Sequence, residues 1–180
     1  MRNLIVTEFL SLDGIMEAPA WTAPYWNDEI AAFKGEETSA SQSLLLGRIT
    51  YQGFAEAWPE RTDVESGGVY FNGTRKYVVS TTLDKVEWNN STLIKGDVMA
   101  EIAKLKQEDG SDIFIHGSGA LAKSLMSHGL IDRIRLLIYP VVLGEGQRFF
   151  QDGFAAKFRL VESRSFSSGV VAVIYEPDRG

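Results

Sequence analysis

Three short apolar runs in this chain each stop at a turn suited to holding an anion. Leu44-Leu45-Leu46 runs into Gly47-Arg48-Ile49-Thr50, and Tyr77-Val78-Val79 runs into Ser80-Thr81-Thr82. Ile113-Phe114-Ile115-His116 runs into Gly117-Ser118-Gly119. Short continuous apolar runs bounded by turn signals read as buried strands. Two of the three continue into helical patterns, and that alternation favours an α/β fold with a largely parallel sheet. In open α/β sheets ligands bind outside the carboxyl ends of the strands, where all three turns fall.

The rest of the chain fits this frame. Leu4 to Phe9 reads as a first strand, followed by the Asp13-Gly14 turn. Asn27 or Asp28 is placed to cap a helix through Phe33 and Lys34. Thr50 is placed to cap a short helix to about Ala57, and Pro59 to Gly73 reads as a loop. Lys76 to Ser80 and Thr92 to Ile94 read as strands. Asp97 caps a helix from Val98 to Glu108, with Met99, Ile102, Ala103 and Leu105 as its apolar stripe. Ala120 to His128 forms another helix, stopped by Gly129. Arg133 to Val142 reads as a long strand, with Pro140 interrupting it. Arg159 to Phe166 and Val170 to Tyr175 form a closing antiparallel hairpin. The expected sheet is mixed: mostly parallel, with antiparallel strands at one edge.

Composition narrows the function classes. The chain has 180 residues, which suits one domain spanning 1–180. There is no cysteine and there are two histidines, so thiolate zinc sites and cysteine nucleophiles are excluded and no metal site is expected. The net charge of −6 argues against nucleic acid as the main partner. No apolar window has the length of a membrane helix and no signal peptide is visible, so the expected location is cytoplasmic, with no membrane partner.

Each turn has a specific chemistry. In Gly117-Ser118-Gly119, the absent side chains let backbone N–H groups approach a phosphate at a helix start. Gly117-x-Gly119-x-x-Ala122 matches a dinucleotide fingerprint, but the acid about twenty residues on is missing: Tyr139 stands there. Arg48 and Thr50 offer a guanidinium and a hydroxyl at a helix start, a suitable phosphate grip. Ser80 and Thr81 bind phosphate or cap a turn. Three such turns on one edge suit a ligand with several phosphates, such as a dinucleotide.

The order of these motifs resembles the dihydrofolate reductase-like superfamily. It is most similar to the reductase domain of bifunctional riboflavin-biosynthesis deaminase-reductases and their stand-alone relatives. The resemblance rests on Ser11-Leu12-Asp13-Gly14, Leu46-Gly47-Arg48-Ile49-Thr50-Tyr51, Lys76 to Ser80 and Gly117-Ser118-Gly119 with Leu121. The stretch Leu130 to Leu136, continuing through Pro140 to Gly146, is its most specific part.

That resemblance implies a three-layer fold, with helices on both faces of the sheet and NADPH across the strand edge. Gly47, Arg48 and Thr50 would hold phosphates, with Arg48 for the 2′-phosphate. Ser80 and Thr81 would lie near the adenosine ribose phosphate. Gly117, Ser118, Gly119 and Ala120 would cradle the pyrophosphate, with Leu121 packing beneath it. Asp13 and Gly14 would lie near the nicotinamide. Gly144, Glu145 and Gly146 would border the substrate, joined there by Trp26 and Phe33. Dihydrofolate reductases carry one acid on the first helix, and register on Phe33-Lys34 puts Glu29 at that place, with Asp28 beside it. In an apolar pocket such a carboxyl has a raised pKa and delivers a proton. The structural alternative is a dipole-favoured acid in a first helical turn.

The implied activity is NADPH-dependent reduction of a pyrimidine- or pterin-like heterocycle by a homodimer. The zinc deaminase half has no counterpart here: there is no cysteine, and His116 and His128 stand apart. A second reading is a nucleotide-binding dimeric module without catalysis. A Rossmann dehydrogenase would need an acid after its second strand, and none is found.

Overall fold

The computed structural model describes residues 1–64 and 67–179. Eight strands form one sheet: β1 (Leu4–Leu10), β2 (Ser41–Gly47), β3 (Arg75–Val79), β4 (Ser91–Ile94), β5 (Asp112–His116), β6 (Arg133–Ile138), β7 (Phe158–Ser165) and β8 (Val171–Pro177). Their order is β4-β3-β2-β5-β1-β6-β8-β7. The first six in that order pair in parallel, and β8 joins β6 and β7 antiparallel. This is the mixed sheet with a closing hairpin that the sequence led us to expect.

Strand alternation divides the core. Leu4, Val6 and Leu10 point to one face, with Ile113 and Ile115. There they meet α4 (Val98–Gln107) and α5 (Gly119–Ser127) through Ile102, Leu105, Ala122 and Leu125. Ile5, Leu44, Leu46, Val78 and Phe114 point to the other face, under Tyr51 and Phe54 of α2 (Arg48–Ala57) and Phe71 of α3 (Gly68–Gly73). Ile30 and Phe33 of α1 (Asp28–Ala40) cover the neighbouring part of that second face, over Leu137, Ala172 and Ile174. The fold therefore has three layers. Each fully buried aliphatic or aromatic side chain contributes roughly 1.5–3 kcal/mol of transfer free energy.

Several boundaries differ from expectation. Asn27 caps α1, accepting the Ile30 N–H at 3.0 Å, but the helix runs on to Ala40 because its turns pack on β1 and β2. The stretch Pro59 to Gly73 holds a helix over its last six residues, which its glycines mask in the sequence. Glu65 and Ser66 of that stretch lie outside the described residues. The strand from Arg133 ends at Ile138, before Pro140, which has no N–H for a ladder. No helix among the described residues is long and apolar enough to cross a membrane.

Candidate functional site

The connections set where a crevice opens. After β1 and β2 the chain passes to the face of α1 and α2; after β5 it passes to the face of α5. Since β5 lies between β2 and β1, the loops at their carboxyl ends leave in opposite directions. Such a switch point is the general ligand position of open α/β sheets.

Two helix starts meet there and are stitched together. The Gly47 N–H donates to Ser118 Oγ at 3.0 Å, and the Ser118 N–H donates to Thr50 Oγ1 at 3.0 Å. Thr50 thus does not cap α2; it lies inside the helix and ties the α5 turn to it. Gly117 and Ser118 both adopt left-handed backbone, at φ 60° and 59°. A Cβ on Gly117 would lie 3.3 Å from Thr50 Oγ1. Both helix starts keep their first-turn amides without intrahelical acceptors, at Arg48 and Ile49 and at Gly119 and Ala120. Leu121 lies beneath, 3.8 Å from the Cβ position of Gly47. Arg48 is exposed at the rim and donates to Gln52 within its own helix.

A strap forms the second wall. Asp13 accepts hydrogen bonds from Ser11 Oγ at 2.6 Å and from the Leu143 and Gly144 N–H groups at 3.2 and 2.8 Å. These bonds hold its carboxyl low, at about 2. The Met16 N–H donates to the Gln147 carbonyl and the Gln147 N–H to Glu17 Oε2. Segments 11–17 and 141–149 are thereby zipped together. This brings Asp13 beside Leu143 and Gly144. Met16 lies over the glycine turn: a Cβ on Gly119 would come within 2.6 Å of its sulfur. Met16 and Glu17 carry no motif in the sequence, whereas Ser11 heads the Ser11-Leu12-Asp13-Gly14 stretch.

Other expected residues sit elsewhere. Glu29 is exposed and accepts from the N–H and hydroxyl of Ser167 and from Asn27. Those donors hold its carboxyl below the ordinary range, opposite to the raised pKa expected of a proton donor. Its work is to fasten α1 to the β7–β8 turn; Asp28 is exposed in the same first turn. Phe33 is 1% exposed and packed beneath the Arg135 and Arg164 guanidinium groups, so it is a core side chain and not a substrate contact. Trp26 is 48% exposed and makes a T-shaped contact with the Phe9 ring. Ser80 Oγ accepts from the Thr82 and Leu83 N–H groups at 3.1 and 3.0 Å, which is a turn cap; Thr81 is exposed beside it.

The carboxyl in an apolar setting is Glu8, on β1. It is 6% exposed. Oε1 accepts from the Phe9 N–H at 3.1 Å, and Oε2 has no partner among the described residues. Burial pushes its pKa up to about 8, against the pull of that hydrogen bond and of Lys34. The signal in the sequence is a lone acid inside Leu4-Ile5-Val6-Thr7-Glu8-Phe9-Leu10. At the end of β5, His116 is also buried and its Nε2 has no partner among the described residues; burial lowers its pKa and favours the neutral ring.

Two open grooves lie away from this edge. One, of about 890 Å³, runs along α2 past Tyr51 and Trp88; another, of about 770 Å³, lies at the amino ends of β2 and β4. Neither holds a glycine turn between two helix starts. Among the described residues no group of acids and histidines is arranged to hold a metal ion.

Comparison with known proteins gives a consistent result. The family model described as the RibD C-terminal domain matches residues 2–172. The Bacillus subtilis protein YyaP, itself uncharacterised, is 29% identical over 178 residues, covering 97% of this chain and 94% of that one. A Thermotoga maritima diaminohydroxyphosphoribosylaminopyrimidine deaminase/5-amino-6-(5-phosphoribosylamino)uracil reductase superposes with a TM-score of 0.69 at 16% identity. The match covers 98% of this chain and 57% of that one. Dihydrofolate reductase from Enterococcus faecalis, complexed with NADP(H), gives a TM-score of 0.65 at 14% identity, over 98% and 96% of the two chains. At such identities the two structural likenesses speak for the fold.

Proposed function

The chain belongs to the RibD C-terminal domain family, and from that premise we propose that it is an NADPH-dependent reductase of a small heterocyclic, pyrimidine- or pterin-like substrate. The observation that carries this reading is the pair of helix starts locked together by Gly47, Thr50 and Ser118 at the carboxyl edge. Two sets of free amides facing one crevice suit a pyrophosphate, and the positive ends of two helix dipoles add to the attraction. Gly117 adopts left-handed backbone and a Cβ there would press on Thr50 at 3.3 Å, while a Cβ at Gly119 would displace the flexible end of Met16.

NADPH would supply a hydride; the protein's part is binding, orientation and exclusion of water. Gly119 and Ala120 would face the pyrophosphate, with Arg48 at the rim for the 2′-phosphate. Arg48 is an exposed cation in a chain of net charge −6, where a phosphate is otherwise repelled. The Asp13–Gly144 strap would close over the reacting rings. The Enterococcus reductase binds NADP(H) on the same fold, which supports the choice of cofactor.

The test is a fluorescence titration with NADPH and NADH on wild type and Arg48→Ala. We expect wild type to prefer NADPH. Arg48→Ala should weaken NADPH by roughly tenfold or more, as loss of a charge-assisted bond of about 1.5–3 kcal/mol implies. NADH binding should change little. Equal losses for both cofactors would remove Arg48 from the 2′-phosphate, and absence of binding by either would overturn the reading.

A further inference from the structure

Beyond Thr7 and His116, β1 continues while β5 turns away at Gly117. This leaves a notch in the sheet at the point where the two stitched helix starts meet. Glu8 is the side chain in that notch. Its Oε2 is 4.0 Å from the Cβ position of Gly117, which is itself 3.3 Å from Thr50 Oγ1. The missing side chain at Gly117 therefore leaves the Glu8 carboxyl facing the turn, and Oε2 has a hydrogen-bonding capacity that no described residue fills.

A buried polar atom without a partner costs free energy comparable to a lost hydrogen bond, so it marks strain, a missing water or a ligand position. Here the orphan is an acid at the ligand edge, next to the glycine turn. The groups around it do not convert it to a structural ion pair. From α1, Lys34 acts on it at a distance, while its ammonium donates to Thr7 and Glu37. From β5, His116 is neutral. From α2, the Thr50 hydroxyl shares with Glu8 Oε2 the surroundings of the Gly117 Cβ position, at 3.3 and 4.0 Å.

We infer that Glu8 is the proton donor of this enzyme, presenting a protonated Oε2 to the substrate atom that becomes N–H or O–H. This rests on the reductase reading above. Reduction of a C=N or C=O bond takes up a hydride at carbon and a proton at nitrogen or oxygen. Loss of that hydride to the substrate carbon oxidises NADPH to NADP⁺. The proton leaves Glu8 Oε2 as the carbon–heteroatom π bond breaks, and the resulting carboxylate is reprotonated from water. A carboxyl raised toward neutrality holds its proton at working pH, which is what a general acid needs. Glu29, the acid picked out by register on the first helix, is held ionised by Ser167 and faces another part of the molecule.

Two readouts test this. In ¹³C-labelled protein, the Glu8 carboxyl signal is assigned by its loss in Glu8→Gln and followed against pH with and without saturating NADPH. We expect titration well above the ordinary carboxylate range and a shift of the signal when NADPH binds. Single-turnover reduction of 5-amino-6-(5-phosphoribosylamino)uracil should then fall by about 100-fold or more in Glu8→Gln, the usual size of a general-acid effect. NADPH affinity should stay within about threefold, and Glu8→Asp should recover part of the rate and its pH dependence. A Glu8 signal that ignores bound NADPH, or titrates as an ordinary carboxylate, overturns the inference. So does a Glu8→Gln protein that reduces the pyrimidine at the wild-type rate. If wild type does not reduce that pyrimidine, the carboxyl signal decides alone. Failure of NADPH to bind overturns the reductase reading itself, and this inference with it; binding with an unmoved Glu8 signal overturns this inference alone.

Discussion

Glu8 and Asp13 lie five residues apart and are held in opposite protonation states by their surroundings. Burial raises Glu8 to about 8, while three donors lower Asp13 to about 2. The signs lead to different pH windows. Glu8 is raised above its unfolded value of 4.5, so its contribution to stability is complete below that value and is lost as pH rises through about 8. A shift of that size corresponds to something on the order of 5 kcal/mol. Denaturant melts of Glu8→Gln should therefore show a flatter stability profile between about pH 5 and 8 than wild type; parallel profiles would contradict the buried placement. Asp13 acts the other way, contributing above its unfolded value of 3.8 and losing that contribution as pH falls toward about 2. At this scale the sequence showed the acids but not their settings. Glu29 stands in a helical first turn that suits many roles, and only the fold brings Ser167 to it. The isolated acid within the apolar first strand was the visible clue to Glu8.

Among the elements, short-range signals and tertiary constraints divided the work. The strands ending at Gly47, Val79 and His116 were legible because apolar runs stop at residues suited to turns. The helix Gly68–Gly73 was not, because its two glycines suggest a loop. It exists because Phe71 stacks on Trp58 and Lys76 Nζ donates to the Phe71 and Thr74 carbonyls at its end. Gly68 is required by close approach: a Cβ there would lie 1.9 Å from the Arg61 carbonyl oxygen. Gly68→Ala should cost about 2 kcal/mol or more in a denaturant melt, as backbone overlap cannot relax by a side-chain rotation. A cost within about 0.5 kcal/mol, the range of ordinary surface changes, would contradict the packing described. The strap is an element of a second kind, since its two segments are joined by side chain–backbone bonds rather than a ladder. Asp13→Ala removes the acceptor for Leu143 and Gly144. Hydrogen exchange at those two amides should speed up, with β1 and β5 amides unchanged; unaltered exchange would show that Asp13 does not hold the strap.

For the whole molecule, the sheet order decides where function sits. Connections that leave to opposite faces around β5 make a switch point, and the turns at Gly47 and Gly117–Gly119 meet there. That much was readable from the position of the turns along the chain. The third turn follows β3, the neighbour of β2 on the same carboxyl edge; there Ser80 spends its hydroxyl on its own loop and Thr81 is exposed. The aromatic side chains were harder to place for a related reason. Phe33 and Tyr139 are core, and Trp21 and Tyr25 pack edge-on against Tyr139, because α1 must bury a face against β6 and β8. Binding of a phosphate-bearing dinucleotide at this carboxyl edge is tested by amide chemical-shift mapping of the ¹⁵N-labelled protein during NADPH titration. The largest changes are expected at Gly47, Arg48, Ser118, Gly119 and Ala120, with further changes along the strap at Gly14, Met16 and Gly144. Changes centred on the groove of Tyr51 and Trp88, or at the amino ends of β2 and β4, with the glycine turn silent, would contradict it.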